Sequence, residues 1–198
     1  MSYDTQDTDL EVTDSAPNIT TDSNQVGSAE PAWRELKSYD PHCFACGQES
    51  SMGLKMEFST NGEKMRSNLV VPAHLRGWSK LVHGGIITTA LDEMMAWTGI
   101  HFLNRFLLTR DIKVRFKLPL YVEEPVTVYG WIAEHSSERK VTLAAEIIKA
   151  KGQQAAKAEG DFALFTPEKF ASMNLVPEEE LVRLQQMFSI SQQSKAAD

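Results

Sequence analysis

The sequence contains no uncharged apolar run approaching the roughly 18–20 residues that a helix needs to cross a bilayer, which excludes a helical membrane span. Its 2 cysteines among 198 residues are too few for a disulfide-rich scaffold, so a reducing cytoplasm is the default compartment. The opening MSYDTQDTDLEVTD lacks the basic and then apolar character of a secretory signal. Positive charge is missing altogether from residues 1–30, which carry Asp4, Asp7, Asp9, Glu11, Asp14, Asp22 and Glu30 but no Lys or Arg. These acids account for the whole net charge of −7 and leave 20 acids against 20 bases in the remainder. Rich in Thr, Ser and Asn and without apolar period, this stretch reads as a disordered acidic tail. The acidic total argues against a nucleic-acid partner. What remains, in a chain 42% hydrophobic and 24% charged, has the composition and length of one globular domain.

The apolar period locates the elements of that domain. Leu54, Met56 and Phe58 alternate with polar residues, as do Leu69 and Val71 beyond the turn signal Asn61-Gly62, which predicts a strand hairpin. From Gly85 to about Phe102 no proline occurs, and Ile86, Ala90, Trp97 and Ile100 recur at helical spacing. Period two returns with Ile112, Val114, Phe116 and Leu118, and three further strand-like runs cover 125–134, 139–150 and 154–165. One long helix among antiparallel strands predicts an α+β fold, a sheet wrapped around that helix. Beyond Pro167, Pro177-Glu178-Glu179-Glu180 starts a second helix with acids at its positive end, and Leu181, Leu184 and Phe188 form its stripe. The expected organisation is a tail over 1–30, a domain over 31–170, and a C-terminal helix with a frayed end from about Ser189 over 171–198.

The chemistry concentrates in Leu81-Val82-His83-Gly84-Gly85-Ile86, which continues to Asp92-Glu93. Two glycines at a loop-to-helix junction present backbone N–H groups with no Cβ in the way, and the helix dipole suits a developing oxyanion there. Asp92 follows two turns later on a stripe of small residues shared with Gly85, Thr88, Ala96 and Gly99, where a carboxylate at a close interface serves as base or nucleophile. Glu93 points instead in the direction of Ile86 and Ala90. The plain alternative is a turn followed by a solvated Asp-Glu pair.

His83-Gly-Gly with a carboxylate nine positions after the His resembles the signature of hot-dog-fold acyl-CoA thioesterases of the phenylacetate-pathway type. Pro72-Ala-His-Leu-Arg-Gly-Trp78, Leu91-Asp-Glu-Met-Met-Ala-Trp97, Cys43-Phe-Ala-Cys-Gly47 and Met52-Gly-Leu54 extend the resemblance over about residues 41–166. It implies a homodimer, or a tetramer of such dimers, with active sites at the subunit interface. Gly84, with Gly85, would donate N–H to the thioester carbonyl. Asp92 of the opposite subunit would act as general base or attack directly, His83 would shape the turn, and Thr109 would help hold the water. Some relatives carry Asn or Gln where this chain has Gly77, and others Thr where it has Ala96.

Cys43 and Cys46 form a C-x-x-C beside His42, but no second pair at zinc spacing follows and no βαβ setting surrounds them. Since similar Cys-Phe-x-Cys-Gly loops recur in the resembling thioesterases, a structural turn is expected, with an intersubunit site as the metal alternative. For the phosphates of coenzyme A the candidates are Arg139 and Lys140 in the Ser-Ser-Glu-Arg-Lys turn, then Lys113, which shares a strand face with Arg115 and Lys117. Trp78, ahead of the motif, is a candidate for lining an acyl pocket, together with Met94, Met95 and Phe102; Trp97 is expected in the core. The expected activity is thioester hydrolysis to free acid and coenzyme A, with no metal or redox cofactor. A non-catalytic acyl-CoA-binding module of the same fold is the alternative, and a dehydratase lacks a second suitable His.

Overall fold

Alternating side chains build most of the architecture. The computed structural model describes residues 32–37 and 40–195, with side chains through Gln186. The acidic tail, residues 1–30, and the side chain of Phe188 therefore lie outside the described residues. The elements run β1 (Arg34–Leu36), β2 (Phe58–Thr60), β3 (Met65–Val70), a 3-10 turn (Ala73–Leu75), α1 (Gly84–Leu103), β4 (Phe106–Phe116), β5 (Pro125–Ser137), β6 (Lys140–Lys149), β7 (Gln154–Phe165), α2 (Pro167–Ala171) and α3 (Glu178–Lys195). The strands form one antiparallel sheet in the order β1-β2-β3-β5-β6-β7-β4. Against it α1 packs on β3, β4, β5, β6 and β7, the predicted α+β arrangement. No helix among the described residues is long and apolar enough to cross a membrane.

The core lies between α1 and the sheet. Leu91, Met94 and Met95 of α1 are fully buried against Leu143 and Ile147 of β6 and Phe162 of β7. The deepest helix face is therefore that of Leu91 and Met94 rather than of Ile86 and Ile100, which are half-buried. Met94 and Met95 are core side chains, not pocket walls, within one chain. Close approach of helix and sheet depends on Gly130 of β5, where an added Cβ would sit 2.4 Å from Thr98 Oγ1 and 2.7 Å from Met94 Cγ. Gly130→Ala is expected to destabilise the fold by about 1–3 kcal/mol, because a packed core resists one extra methyl, as measured by urea unfolding. At its C-terminus α1 is stopped by Asn104 in the left-handed region (φ 52°), whose N–H donates to Ile100 O.

Departures from the sequence reading have local causes. Residues 54–56 were expected to lie in a strand, yet β2 begins only at Phe58. Leu54 and Met56 give their N–H groups to Phe44 O and Ala45 O instead, both at 2.9 Å, and so dock on the cysteine loop. Strand β5 continues through His135 and Ser136 to Ser137, leaving Glu138 and Arg139 as the turn. Helix α3 stays helical to Lys195, past Ser189, and docks on its own chain: Leu181 and Leu184 pack with Phe106, Ile100 and Phe170.

Candidate functional site

The segment before α1 is a small hairpin. Gly77 N–H donates to Leu81 O (2.7 Å) and Leu81 N–H to Trp78 O (2.9 Å), while Val82 N–H is anchored on Leu120 O (2.9 Å). This places Trp78 at the tip, 86% exposed, and delivers His83 to the helix start. A Cβ at Gly77 would lie 3.3 Å from His83 Cα, so the hairpin closes most easily over glycine at this position.

His83 is the N-cap of α1, in extended conformation (φ −62°, ψ 136°), and its Nδ1 accepts the Gly85 N–H at 3.0 Å. The turn-shaping expected of His83 thus takes the form of a side-chain cap. It also corrects the pairing of the two glycines as oxyanion donors, because the Gly85 N–H already has an acceptor. Gly84 N–H has none among the described residues. Its open face looks toward Phe116 of β4, whose Cζ would be 3.7 Å from a Cβ built there.

Asp92 lies on the half-buried face of α1 and is held from β4: Thr109 Oγ1 donates to Asp92 Oδ1 at 2.9 Å. The ladder between β4 and β7 shifts register directly after Thr109, a bulge of the kind that re-aims side chains at sheet edges. Burial raises the Asp92 carboxyl above its ordinary value, and the Thr109 hydrogen bond opposes that rise. No partner to Asp92 Oδ2 occurs among the described residues, which leaves that oxygen open to water or substrate. Gly84 and Asp92 are eight residues apart, about 12 Å along the helix axis at 1.5 Å per residue. One chain therefore does not bring both groups to a single carbonyl.

Glu93, one residue on, faces the other way. Its Oε1 accepts the Trp97 indole N–H (3.1 Å) and lies 3.7 Å from Cys43 Sγ. Burial, with the Cys43 sulfur adding to it, pushes the Glu93 carboxyl up to about 7. Ligand atoms of Cys43, Cys46 and Glu93 all lie within 4.8 Å of one another. The sequence reading found no further ligand for the cysteine pair; the chain folds one onto it from α1. That convergence is non-local, and only the adjacency of Glu93 to Asp92 and its i,i+4 spacing to Trp97 hinted that its direction is used.

The basic candidates separate into two groups. Arg139 is exposed at the β5–β6 turn, where its carbonyl accepts the N–H of Leu164, itself paired with Leu107 of β4, so it sits at the Thr109 end of the sheet. Lys140 is instead tied down, its Nζ 2.9 Å from Asp161 Oδ2. Lys113, Arg115 and Lys117 line a cavity of about 290 Å³ with Lys157 of β7, a residue that strand register alone brings to this cluster. A cavity of about 440 Å³ over β1–β3, lined by Trp33, Leu36, Phe58 and Arg66 among others, contains none of the candidate residues.

The family model described as the thioesterase superfamily matches residues 80–156, the span that carries His83, Gly84, Gly85, Asp92 and Thr109. Among solved structures the chain resembles a thioesterase superfamily protein at 24% identity and TM-score 0.56, over 62% of this chain and 60% of that one. The match thus spans less than two thirds of that protein's length. A thioesterase from Haemophilus influenzae is similar at 14% identity and TM-score 0.53, covering 60% of this chain and 87% of that one. The E. coli PaaI protein from the phenylacetic acid degradation operon follows at 15% identity and TM-score 0.51, covering 57% and 80%. No curated protein matches the sequence at a significant level. One long helix laid across an antiparallel sheet is the hot-dog fold that these solved structures share, and the thioesterase superfamily model matches the chain over that helix and the central strands.

Proposed function

We propose that the protein is an acyl-CoA thioesterase of the phenylacetate-pathway type, with active sites shared between two copies of the chain. The observation that carries this reading is the division of one helix into two half-sites. An unpartnered Gly84 N–H opens its N-terminus, and two turns later Asp92 is held by Thr109. A second copy supplies what the first lacks. The surface for it is β4, an 11-residue edge strand with Phe116 and Leu108 exposed, a long edge that isolated proteins usually protect.

In this arrangement the thioester carbonyl accepts the Gly84 N–H, and the helix dipole favours negative charge on its oxygen. Asp92 of the second chain takes a proton from water as the water oxygen bonds to the carbonyl carbon. The C–S bond then breaks, and the departing thiolate recovers the proton to give free acid and coenzyme A. Direct attack by Asp92 followed by hydrolysis of the anhydride reaches the same products. Arg139 and Lys113 provide exposed charge for the coenzyme phosphates, one at each end of β4, and Trp78 lies free to cover an acyl group. Lys140 is a weaker candidate because Asp161 already neutralises it. The test is release of thiol from acyl-CoA. The reading of a non-catalytic binding module draws on Gly77 and Ala96, where polar water-holding side chains are missing, and would show ligand-induced thermal stabilisation without turnover.

Thr109 gives this mechanism a pH signature. Its hydrogen bond favours the Asp92 carboxylate, so Thr109→Val removes an influence that lowers the pKa and leaves burial unopposed. Activity requires the carboxylate, which forms as pH rises. The acid limb of kcat/KM is therefore expected to move to higher pH in Thr109→Val and to return toward wild type in Thr109→Ser.

A further inference from the structure

We propose that Cys43, Cys46 and Glu93 form a binding site for a thiophilic divalent metal ion of the zinc class, pinning the cysteine loop to the catalytic helix α1. The three ligand atoms lie within 4.8 Å of one another. With Zn–S near 2.3 Å and Zn–O near 2.1 Å, sulfur and oxygen ligands on a tetrahedral ion are about 3.6 Å apart. Cys43 Sγ and Glu93 Oε1 stand 3.7 Å apart. Two sulfurs and a carboxylate form a soft-to-borderline donor set that suits zinc over magnesium or calcium. Three protein ligands leave one tetrahedral position for water.

The surroundings are those of an oriented ligand set. The Cys46 thiol, with the backbone N–H groups of Cys46 and Ala45, directs hydrogen bonds at the Cys43 sulfur, which draws the Cys43 thiol down while the same contact and burial push the Cys46 thiol up. The turn is closed by Gly47 N–H on Cys43 O (2.9 Å) and by Gln48 Nε2 on Cys46 O (3.2 Å). Glycine is required at 47, because a Cβ there would meet Pro41 O at 2.4 Å and Cys43 N and O at 2.6 Å, all backbone atoms. Trp97 Nε1–H fixes Glu93 Oε1 from behind, the outer-shell orientation that metal-ligating carboxylates usually have. Among the described residues no Lys or Arg forms an ion pair with Glu93. A divalent cation held by the two sulfurs would neutralise that carboxylate. A Cys43–Cys46 disulfide would use the two sulfurs and leave the half-buried Glu93 beside them bonded to the Trp97 indole N–H.

The experiment is anaerobic titration of the full-length, thiol-reduced protein with Co2+, read by thiolate-to-cobalt charge-transfer absorption. One Co2+ per chain is expected, displaced by one Zn2+. Glu93→Gln, close to isosteric, should weaken binding at least tenfold with an unchanged circular dichroism spectrum, and Cys46→Ser should abolish the absorption band. Absence of the band while both thiols are reduced and titratable would overturn the proposal. So would a band indifferent to Glu93→Gln, or isolation as a Cys43–Cys46 disulfide that binds no metal after reduction. The readout is spectroscopic and independent of turnover, so its outcome and that of the thioesterase reading are separable.

Discussion

Asp92→Asn is expected to lower thioester turnover by about 10³-fold while leaving the fold and oligomeric state unchanged. Positioned acid–base groups contribute about 10²–10⁴ to rate, and in the proposed mechanism a single carboxylate takes up the proton. The substitution keeps the shape of the side chain and an oxygen able to accept the Thr109 hydroxyl, now at 2.9 Å from Asp92 Oδ1. It removes a charge that burial already disfavours, so stability should not fall. Comparison of kcat with thermal unfolding checks this, and an Asp92→Asn enzyme within threefold of wild type would remove Asp92 from the chemistry. Glu93→Gln serves as a neighbouring control, because its carboxylate faces the cysteine loop.

The second large effect is expected from Gly84→Pro. Gly84 is the first residue of α1, a position where proline is well tolerated, and the preceding His83 already has the extended backbone that proline demands (φ −62°, ψ 136°). Phe116 is at ordinary contact distance, 3.7 Å, from a Cβ there. The substitution therefore deletes one N–H and little else. Loss of one oxyanion donor costs about 10²–10³ in kcat, and that fall is predicted here. Mixed dimers of Gly84→Pro and Asp92→Asn chains should regain one working site each, since the intact half-sites then meet across the interface. No recovery on mixing would contradict a site shared between chains.

Helix α1 and strands β5 to β7 were legible because each repeats one period for ten or more residues. Strand β1 has three residues and no period, and it was not seen. The stretch at 54–56 alternates like a strand, yet its partner is the cysteine loop, and alternation does not say which backbone a strand pairs with. At the site, Gly-Gly and the Asp nine residues after the His were legible as candidates. The cap that takes up the Gly85 N–H was not, because one side-chain hydrogen bond decides it. Nor was the ion pair that occupies Lys140, set by the register of β6 on β7. Glu93 shows the limit most clearly: its place beside Asp92 gave its direction, but only the folded loop brings two sulfurs to meet it.

The account rests on thioester cleavage, and the most direct measurement is thiol release by the wild-type protein across aryl, short-, medium- and long-chain acyl-CoAs. Release well above background is predicted for at least one acyl class, and it should disappear in Asp92→Asn. A folded wild-type protein that releases no thiol from any member of the panel would contradict the account.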